Sequence, residues 1–360
     1  MLPQDFVLKE YSQLADKGEF SAQAPSNIAL VKYWGKKDEQ IPCNPSISFT
    51  LKKAQTHTKF TFEKRQHSND EFDIEVYFEG KREKSFEPKI INFFQRIQEY
   101  SGFLNTYKIK IATENTFPHS SGIASSASAM ASIAICIMEI EKSINPKMTN
   151  DYYYKKASFL ARLGSGSACR SITDQVVLWG NTSDYRESSN YYGVGISDVH
   201  SIFKDFQDAI LLVDAGKKAI SSSQGHQLMH HHPYAGQRFE EAKQNTKRML
   251  HILKEGNLDD FIKCVEKEAL SLHAMMMTSS PYFILMQPNT LEIIQKIWTF
   301  RNETNIPICF TLDAGANVHL LYPKRVADIA KEFIERKLLN FCQNHRVIYD
   351  EIGCGANVIN

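Results

Sequence analysis

Serine, glycine and alanine fill a stretch that joins a predicted strand to a predicted helix. The stretch covers residues 114–127 and reads Glu-Asn-Thr-Phe-Pro-His-Ser-Ser-Gly-Ile-Ala-Ser-Ser-Ala. Such a turn presents unpaired backbone N–H groups and the positive end of the helix dipole to an anion, and Ser125 and Ser126 add hydroxyl donors. The pattern predicts a phosphate site, with an ordinary N-capped helix as the alternative. Because the Walker spacing is absent, a nucleotide site here would be of another type.

A second small-residue turn reads Arg-Leu-Gly-Ser-Gly-Ser-Ala-Cys-Arg-Ser and covers residues 162–171. Its glycines and serines leave the backbone free to wrap around a ligand. Arg170 adds a planar guanidinium that can hold a phosphate or carboxylate through two hydrogen bonds. An ordinary loop after a helix is the alternative, which the arginine inside so tight a turn disfavours.

A third turn, residues 311–317, reads Thr-Leu-Asp-Ala-Gly-Ala-Asn and follows an apolar strand. It predicts that Asp313 presents its carboxylate at the edge of a cleft, where it can orient or deprotonate a hydroxyl group. Aspartate before glycine is also a common turn signal, which is the competing interpretation.

Two lysines flank two large aromatic residues near the start of the chain. Lys32 and Lys36 enclose Tyr33 and Trp34, and such a group can form a rigid anion-binding wall. A pair of surface lysines with extended side chains is the alternative.

Composition limits what kind of ligand these turns can serve. The chain has 360 residues, enough for one large or two ordinary domains, and its 42 Lys and Arg nearly balance 41 Asp and Glu. With a net charge of +1, no global field attracts nucleic acid or an anionic membrane, so a charged ligand must meet locally clustered cations.

The seven cysteines form no C-x-x-C pair, which favours reduced thiols. Neither a signal peptide nor an apolar run of about 18 residues is found, so we expect a cytoplasmic protein with no nucleic-acid or membrane partner.

The elements that must hold these turns are of mixed type. Period-two alternation predicts half-buried antiparallel strands across residues 56–78 and another strand at 107–112. Helical spacing predicts helices at 89–100, 124–141, 149–163, 239–255, 258–274 and 291–301, and apolar runs predict strands at 208–213, 308–312 and 318–322. Because helices and strands do not alternate strictly, an α+β fold is favoured over a doubly wound sheet.

Five segments together resemble the diphosphomevalonate decarboxylase family of the GHMP small-molecule kinase superfamily. They are residues 24–36 (A-P-x-N-I-A-x-x-K-Y-W-G-K), 42–50 (N-S-S-x-S-x-T), 117–127 (F-P-x-x-x-G-x-A-S-S-A), 164–171 (G-S-G-S-A-C-R-S) and 313–317 (D-A-G-P-N). The resemblance implies a GHMP-kinase fold with a central cleft between two lobes. These are a ribosomal-protein-S5-like N-terminal lobe, residues 1–200, and a ferredoxin-like C-terminal lobe, residues 201–360.

The resemblance also implies a reaction. ATP, with Mg²⁺, phosphorylates the 3-hydroxyl of (R)-5-diphosphomevalonate, and loss of phosphate and CO₂ then gives isopentenyl diphosphate. Asp313 would activate or orient the hydroxyl with Lys32 tuning its charge, while Arg170, assisted by Asn27, would hold the substrate carboxylate and phosphate region. The other implied substrate contacts are Tyr33, Trp34, Gly35, Lys36, Lys89, Ser165, Gly166, Ser167, Ala168, Cys169, Ser222 and Ser223. The implied ATP-phosphate contacts are Pro118, Ser120, Ser121, Gly122, Ala124, Ser125 and Ser126. A homodimer is implied, and no side chain is assigned as a direct metal ligand.

Three departures from the family pattern stand out. Ala316 replaces a proline, Pro45 replaces a serine, and residues 220–234 begin like V-S-S-T-x-G-M-Q-L but continue into three histidines, His230 to His232. Because consecutive helical residues point around the axis, these histidines are not expected to share one metal ion.

Alternatives remain on the same fold. A mevalonate 3-kinase or a phosphomevalonate decarboxylase would keep most of these turns, but the retention of Asp313 with Lys32 favours a decarboxylase. A non-catalytic binding protein is the alternative of a different class, and the loss of Asp313, Arg170 or the phosphate loop would have indicated it.

Overall fold

A computed structural model describes residues 1–8, 14–66, 71–118, 123–214, 216 and 222–359. Its strands are β1 (Lys17–Val31), β2 (Ser46–Lys64), β3 (Asp73–Phe78), β4 (Lys81–Arg82), β5 (Tyr107–Asn115), β6 (Val176–Trp179), β7 (Val194–Gly195), β8 (Gln207–Leu211), β9 (Cys309–Thr311), β10 (Val318–Tyr322), β11 (Val347–Glu351) and β12 (Asn357–Ile359). Its helices are α1 (Glu87–Ile97), α2 (Ser125–Ile144), α3 (Asn150–Gly164), α4 (Ser222–Gln227), α5 (Ala235–Glu255), α6 (Leu258–Met277), α7 (Pro288–Thr304) and α8 (Ala327–Phe333).

The mixed architecture confirms the predicted α+β class. Each helix predicted from periodicity is present within a few residues of its expected ends. No helix in the part of the chain that the structure describes is long and apolar enough to span a bilayer.

The first sheet has the strand order β12-β1-β2-β5-β3-β4, with β6 and β7 continuing from β2. Side chains in the second half of β2 alternate between buried and exposed because one face of the sheet packs against α2. The helix α2 is buried on most of its surface, which explains its nearly continuous apolar sequence. Phe60, Phe94 and Phe159 are among the large side chains of this core.

Strand β3 corrects the expectation of antiparallel pairing across residues 56–78. It pairs with β5 in the parallel direction rather than with β2. Period-two alternation determines which side chains are buried but not the direction of a neighbouring strand. Here the chain runs from β3 through α1 to β5, and a parallel pair requires this kind of helical crossover.

The second sheet has the antiparallel order β11-β8-β10-β9 and packs against α6, α7 and α8. A third apolar cluster joins the two sheets: the ring of Phe49 on β2 lies 6.0 Å from the rings of both Phe206 and Phe261. Because this cluster contains residues of both sheets, the two sheets form a single packed body.

A buried carboxylate also ties the sheets together. Asp350 on β11 accepts hydrogen bonds through Oδ1 from the backbone N–H groups of Lys52 at 3.1 Å and Lys53 at 2.8 Å. Its Oδ2 accepts from the N–H of Ala54 at 2.7 Å. The two oxygens thus satisfy a turn of β2 that pairs with no neighbouring strand at these residues.

We expect Asp350→Asn to lower the free energy of unfolding by about 2 kcal/mol, because an amide nitrogen cannot accept the bonds that a carboxylate oxygen accepts. Urea denaturation measures the change. Asp205→Asn is the control, because that side chain is exposed and its loss should cost no more than about 0.5 kcal/mol. Equal stability of the two variants would contradict the bridging role of Asp350.

Candidate active site

Two strand ends bring a lysine and an aspartate together in the cleft. Lys32 follows β1, Asp313 follows β9, and Nζ lies 3.3 Å from Oδ1. The lysine side chain is 2% exposed and the aspartate 26% exposed. Burial lowers the pKa of Lys32, and the adjacent Asp313 carboxylate opposes that shift. The aspartate is therefore the counter-ion that opposes the loss of charge that burial favours.

Behind this pair, a buried ion pair holds the backbone of Lys32. Glu268 on α6 accepts from the N–H of Lys32 at 2.8 Å and from two nitrogens of Arg238 on α5, at 2.5 and 3.1 Å. Asn245 donates a fourth bond at 2.6 Å. His273, on the same helix as Glu268, has its Nε2 3.1 Å from the carbonyl oxygen of Asp313. Sequence analysis did not identify these residues, because polar side chains within long helices carry no distinguishing local pattern.

Arg170 is held by two serines. It lies in the 3₁₀ turn Gly166–Ser171, where Nη1 donates to Ser46 Oγ at 2.6 Å and Nε donates to Ser48 Oγ. Its guanidinium also stacks over Trp179 at 5.7 Å. Among the described residues no hydrogen bond uses Nη2, so this nitrogen can still bind an anion. Both serines were part of the 42–50 motif, but no signal in that motif showed that they would hold an arginine.

Two buried polar atoms near Arg170, Asn27 Oδ1 and Tyr33 Oη, have no hydrogen-bond partner among the residues that the structure describes. Asn27 Nδ2 donates to the carbonyl of Ser167 at 3.2 Å and to Ser171 Oγ at 2.8 Å, which fixes the direction of its oxygen. Burial raises the pKa of Tyr33, so its hydroxyl remains a donor. Unsatisfied buried polar atoms are costly, and a polar ligand between them would remove that cost.

The rest of the second turn contributes mainly through its backbone. A Cβ atom at Gly166 would lie 2.8 Å from the Tyr33 hydroxyl, so only glycine allows this approach. The carbonyl oxygen of Ser165 accepts a hydrogen bond from the N–H of Ala168 at 2.8 Å, and the side chain of Ala168 packs into the core. Cys169 is buried with Sγ 3.0 Å from the Gly166 carbonyl, and burial raises its pKa to about 12. The thiol is therefore not ionised at neutral pH.

The two aromatic residues between the lysines face the protein rather than solvent. Trp34 is 4% exposed and packs with Met229 and Met275. Lys36 donates to Gln40 at 3.0 Å, and desolvation, followed by the charge of Arg96, lowers its pKa. The aromatic pair thus holds the segment from Lys32 to Lys36 in place, and Lys36 is the cation of this segment that can bind an anion.

The predicted phosphate loop is described in part. Ser120, Ser121 and Gly122 lie outside the described residues, and Pro118 ends the segment before them. Ala124 has left-handed backbone angles, φ 40 and ψ 39, and α2 begins immediately after it at Ser125. The Nζ of Lys89, which was assigned to the substrate pocket, donates to Ser126 Oγ at 2.7 Å. The structure thus places Lys89, which was predicted to contact the substrate, next to Ser126, which was predicted to contact the ATP phosphates.

The segment with three histidines contains a short helix. The backbones of Ser222 and Ser223 lie at the start of α4. His230 and His231 are exposed, whereas His232 is buried with Nε2 3.0 Å from the carbonyl of Met275 and 3.1 Å from Thr278 Oγ1. Within the described ranges, no group of three or more His, Cys, Asp or Glu residues has metal-binding geometry.

Comparison with known proteins agrees with this geometry. Residues 24–191 match the diphosphomevalonate decarboxylase-like N-terminal domain, and residues 209–352 match the mevalonate 5-diphosphate decarboxylase C-terminal domain. The diphosphomevalonate decarboxylase of Saccharomyces cerevisiae is 31% identical over 84% of this chain and 77% of its own length. The phosphomevalonate decarboxylase of Haloferax volcanii is 28% identical over 87% and 91%. A mevalonate diphosphate decarboxylase structure from Legionella pneumophila has a TM-score of 0.77 and 31% identity, and the match covers 92% of this chain and 100% of the other.

We expect Glu268→Gln to lower the free energy of unfolding by about 3 kcal/mol, because it leaves the buried Arg238 guanidinium with only the more exposed Glu241 carboxylate, 3.4 Å away, as a counter-charge. Chemical denaturation measures this loss. Glu240→Gln is the matched control: Glu240 pairs with Lys243 at the surface and is 58% exposed, so removing its charge should cost about 0–1 kcal/mol. Similar losses in both variants would show that the buried pair does not stabilise the site.

Proposed function

Because the chain belongs to the diphosphomevalonate decarboxylase family, which has the GHMP-kinase fold, we propose that it decarboxylates (R)-5-diphosphomevalonate in an ATP-dependent reaction. The products are isopentenyl diphosphate, ADP, phosphate and CO₂, as in the mevalonate pathway of isoprenoid biosynthesis. The ion pair of Asp313 with the buried Lys32, close to Arg170, is the observation that carries the proposal.

Asp313 acts on the 3-hydroxyl group. A tertiary alcohol is a poor nucleophile, so a carboxylate that orients it and accepts its proton lowers the barrier to attack on the γ-phosphorus of ATP. Lys32 lies 3.3 Å from that carboxylate and compensates the negative charge that builds up around the oxygen. Glu268 and His273 keep the two backbones in position.

Arg170 and Tyr33 bind the substrate carboxylate, and Asn27 assists by holding the turn that carries Arg170. The support is the open Nη2 of Arg170 and the unpartnered Tyr33 Oη, which can both donate to a carboxylate oxygen. Asn27 donates through Nδ2 to Ser167 and Ser171, and its unpartnered Oδ1 can accept only from a donor group of the substrate. When the C–O bond to the new phosphate breaks, phosphate departs with the bonding electrons. The C–C bond to the carboxylate then supplies the electrons of the new double bond and CO₂ leaves. A pocket that excludes water favours this step, because positive charge at the tertiary carbon would otherwise be captured by solvent.

The ATP phosphates lie at the start of α2. The left-handed turn at Ala124, the hydroxyls of Ser125 and Ser126 and the ammonium of Lys89 form a small-residue, positively polarised end that fits a triphosphate. Mg²⁺ supplies charge neutralisation when bound. It commonly keeps waters and binds substrate phosphates, so it would be held mainly through the phosphates of ATP.

We also propose the larger organisation. Residues 1–200 and 201–360 form the two lobes, although β12 pairs back onto β1 of the first sheet. The protein is a cytoplasmic homodimer, as the family resemblance implies. Light scattering that gives the mass of one chain would refute the dimer.

The substrate assignment has a direct assay. Incubation with ATP, Mg²⁺ and mevalonate, its 5-phosphate or its 5-diphosphate should release CO₂ from the diphosphate. Release from the monophosphate alone would assign the activity of the Haloferax volcanii relative instead. ADP formation without CO₂ would indicate a 3-kinase, and no turnover of any substrate would indicate a binding protein.

Asp313→Asn should lower the rate of CO₂ release at least about 100-fold, because the amide cannot accept the hydroxyl proton. The affinity for a non-hydrolysable ATP analogue should stay near that of the wild type, since asparagine keeps the shape of the side chain and Asp313 is proposed to act on the substrate hydroxyl rather than to bind the nucleotide. Asp205→Asn serves as the control. A rate within about threefold of the wild type would remove Asp313 from the mechanism.

A further inference from the structure

The segment that departs most from the family pattern places a histidine against the wall of the cleft. The ring of His226 on α4 lies 4.2 Å from the ring of Tyr33 and 4.7 Å from that of Trp34, centroid to centroid. Its Nδ1 accepts a hydrogen bond from the N–H of Gly35 at 2.9 Å, and the residue is 8% exposed. These three contacts fix both the position and the orientation of the ring.

Two glycines make this arrangement possible. A Cβ atom at Gly225 would lie 2.4 Å from the Trp34 ring, so any larger residue would push α4 away from the wall. Gly35 has a φ of +94°, and a Cβ atom there would lie 2.7 Å from Phe239. His226 therefore belongs to a built contact between α4 and the Lys-Tyr-Trp-Gly-Lys segment.

The bond from Gly35 also determines which ring nitrogen carries the proton. A neutral imidazole has one donor and one acceptor, so a ring that accepts at Nδ1 holds its hydrogen on Nε2. The pKa of His226 is lowered to about 3, mainly because burial removes the ring from water. The positive charges of Lys36 and Arg170 lower it further. The ring is neutral at physiological pH, and within the described ranges Nε2 has no hydrogen-bond partner.

The neighbouring cations indicate which end of a substrate this donor faces. Arg170 interacts electrostatically with Asp313 and with His226, whereas Lys36 interacts with His226 and Arg96. A substrate with its 3-hydroxyl at Asp313 must extend its C5 phosphoryl chain away from the Lys32–Asp313 pair. His226 contacts Tyr33, Trp34 and Gly35, which directly precede Lys36 in the chain, so Lys36 and His226 are the candidate donors to the phosphoryl oxygens.

We propose, on the basis of the function proposed above, that His226 is a specificity-determining residue whose Nε2–H donates a hydrogen bond to a phosphoryl oxygen at the C5 end of the substrate. Hydrogen bonds to ionised oxygens are stronger than neutral ones, and a donor held by stacking loses little conformational entropy on binding. Methionine, which the family pattern carries at this position, has no N–H group.

Three variants test the proposal by calorimetric titration with diphosphomevalonate in the absence of ATP. His226→Met should weaken binding by about 10- to 100-fold, because a charge-assisted hydrogen bond is lost while side-chain bulk is kept. His226→Gln should recover most of the affinity, because its amide N–H can take the place of Nε2–H. His231→Met makes the same substitution at an exposed histidine of the same segment and should leave the affinity unchanged.

A second measurement on the wild-type protein does not depend on how the variants fold. In protein labelled with ¹⁵N-histidine, the Nε2–H resonance of His226 should shift when diphosphomevalonate is added. An unchanged affinity of His226→Met would overturn the proposal. So would equal losses in the Met and Gln variants with no shift of the resonance, which would mean that the ring serves only packing.

These outcomes are separable from the fate of the proposed function. If the wild type releases CO₂ from diphosphomevalonate but the His226 measurements fail, only the donor role is lost. If diphosphomevalonate shifts the Nε2 resonance but no CO₂ is released, the donor role stands and the proposed reaction is wrong.

Discussion

The structure depends on keeping two buried cations charged without surrounding water. Lys32 and Arg170 lie at 2% exposure in the cleft, where desolvation favours their neutral forms. Asp313 pairs with the lysine, and two serines together with the face of Trp179 surround the arginine. An anionic substrate would supply further negative charge beside these two cations. Its binding would therefore stabilise the charged forms of the residues that bind it.

This requirement explains why the cleft is built between two sheets. Lys32 and the serines that hold Arg170 belong to the first sheet or directly follow it, whereas Asp313 follows a strand of the second sheet. Glu268, on a helix that packs against the second sheet, accepts the backbone N–H of Lys32 and so connects the two halves behind the ion pair. Neither half alone contains both the cations and their carboxylates.

Much of the fold and part of the site could be predicted from sequence, for identifiable physical reasons. Long helices such as α5 and α6 have strong periodicity, and short turns such as 313–317 carry their chemistry in adjacent residues. Strand direction was missed at β3 because alternation contains no information about pairing partners. Glu268 and His226 were missed because their roles arise from contacts with residues 236 and 191 positions away. Lys89 was predicted to contact the substrate and Ser126 to contact ATP. Their hydrogen bond could not be predicted because the two residues are 37 positions apart in the chain.

The separation of the site residues along the chain has a consequence for biosynthesis. Lys32 precedes Glu268 by 236 residues and Asp313 by 281. At a translation rate of roughly 5–20 residues per second, Lys32 is therefore made about 10–60 seconds before the ribosome delivers the two carboxylates that contact this residue in the folded protein. During that interval Lys32 must remain hydrated, so the cleft wall forms late and around contacts of long sequence separation, which fold slowly. The nascent N-terminal part of the chain thus carries Lys32 in a hydrated state that the folded protein no longer has.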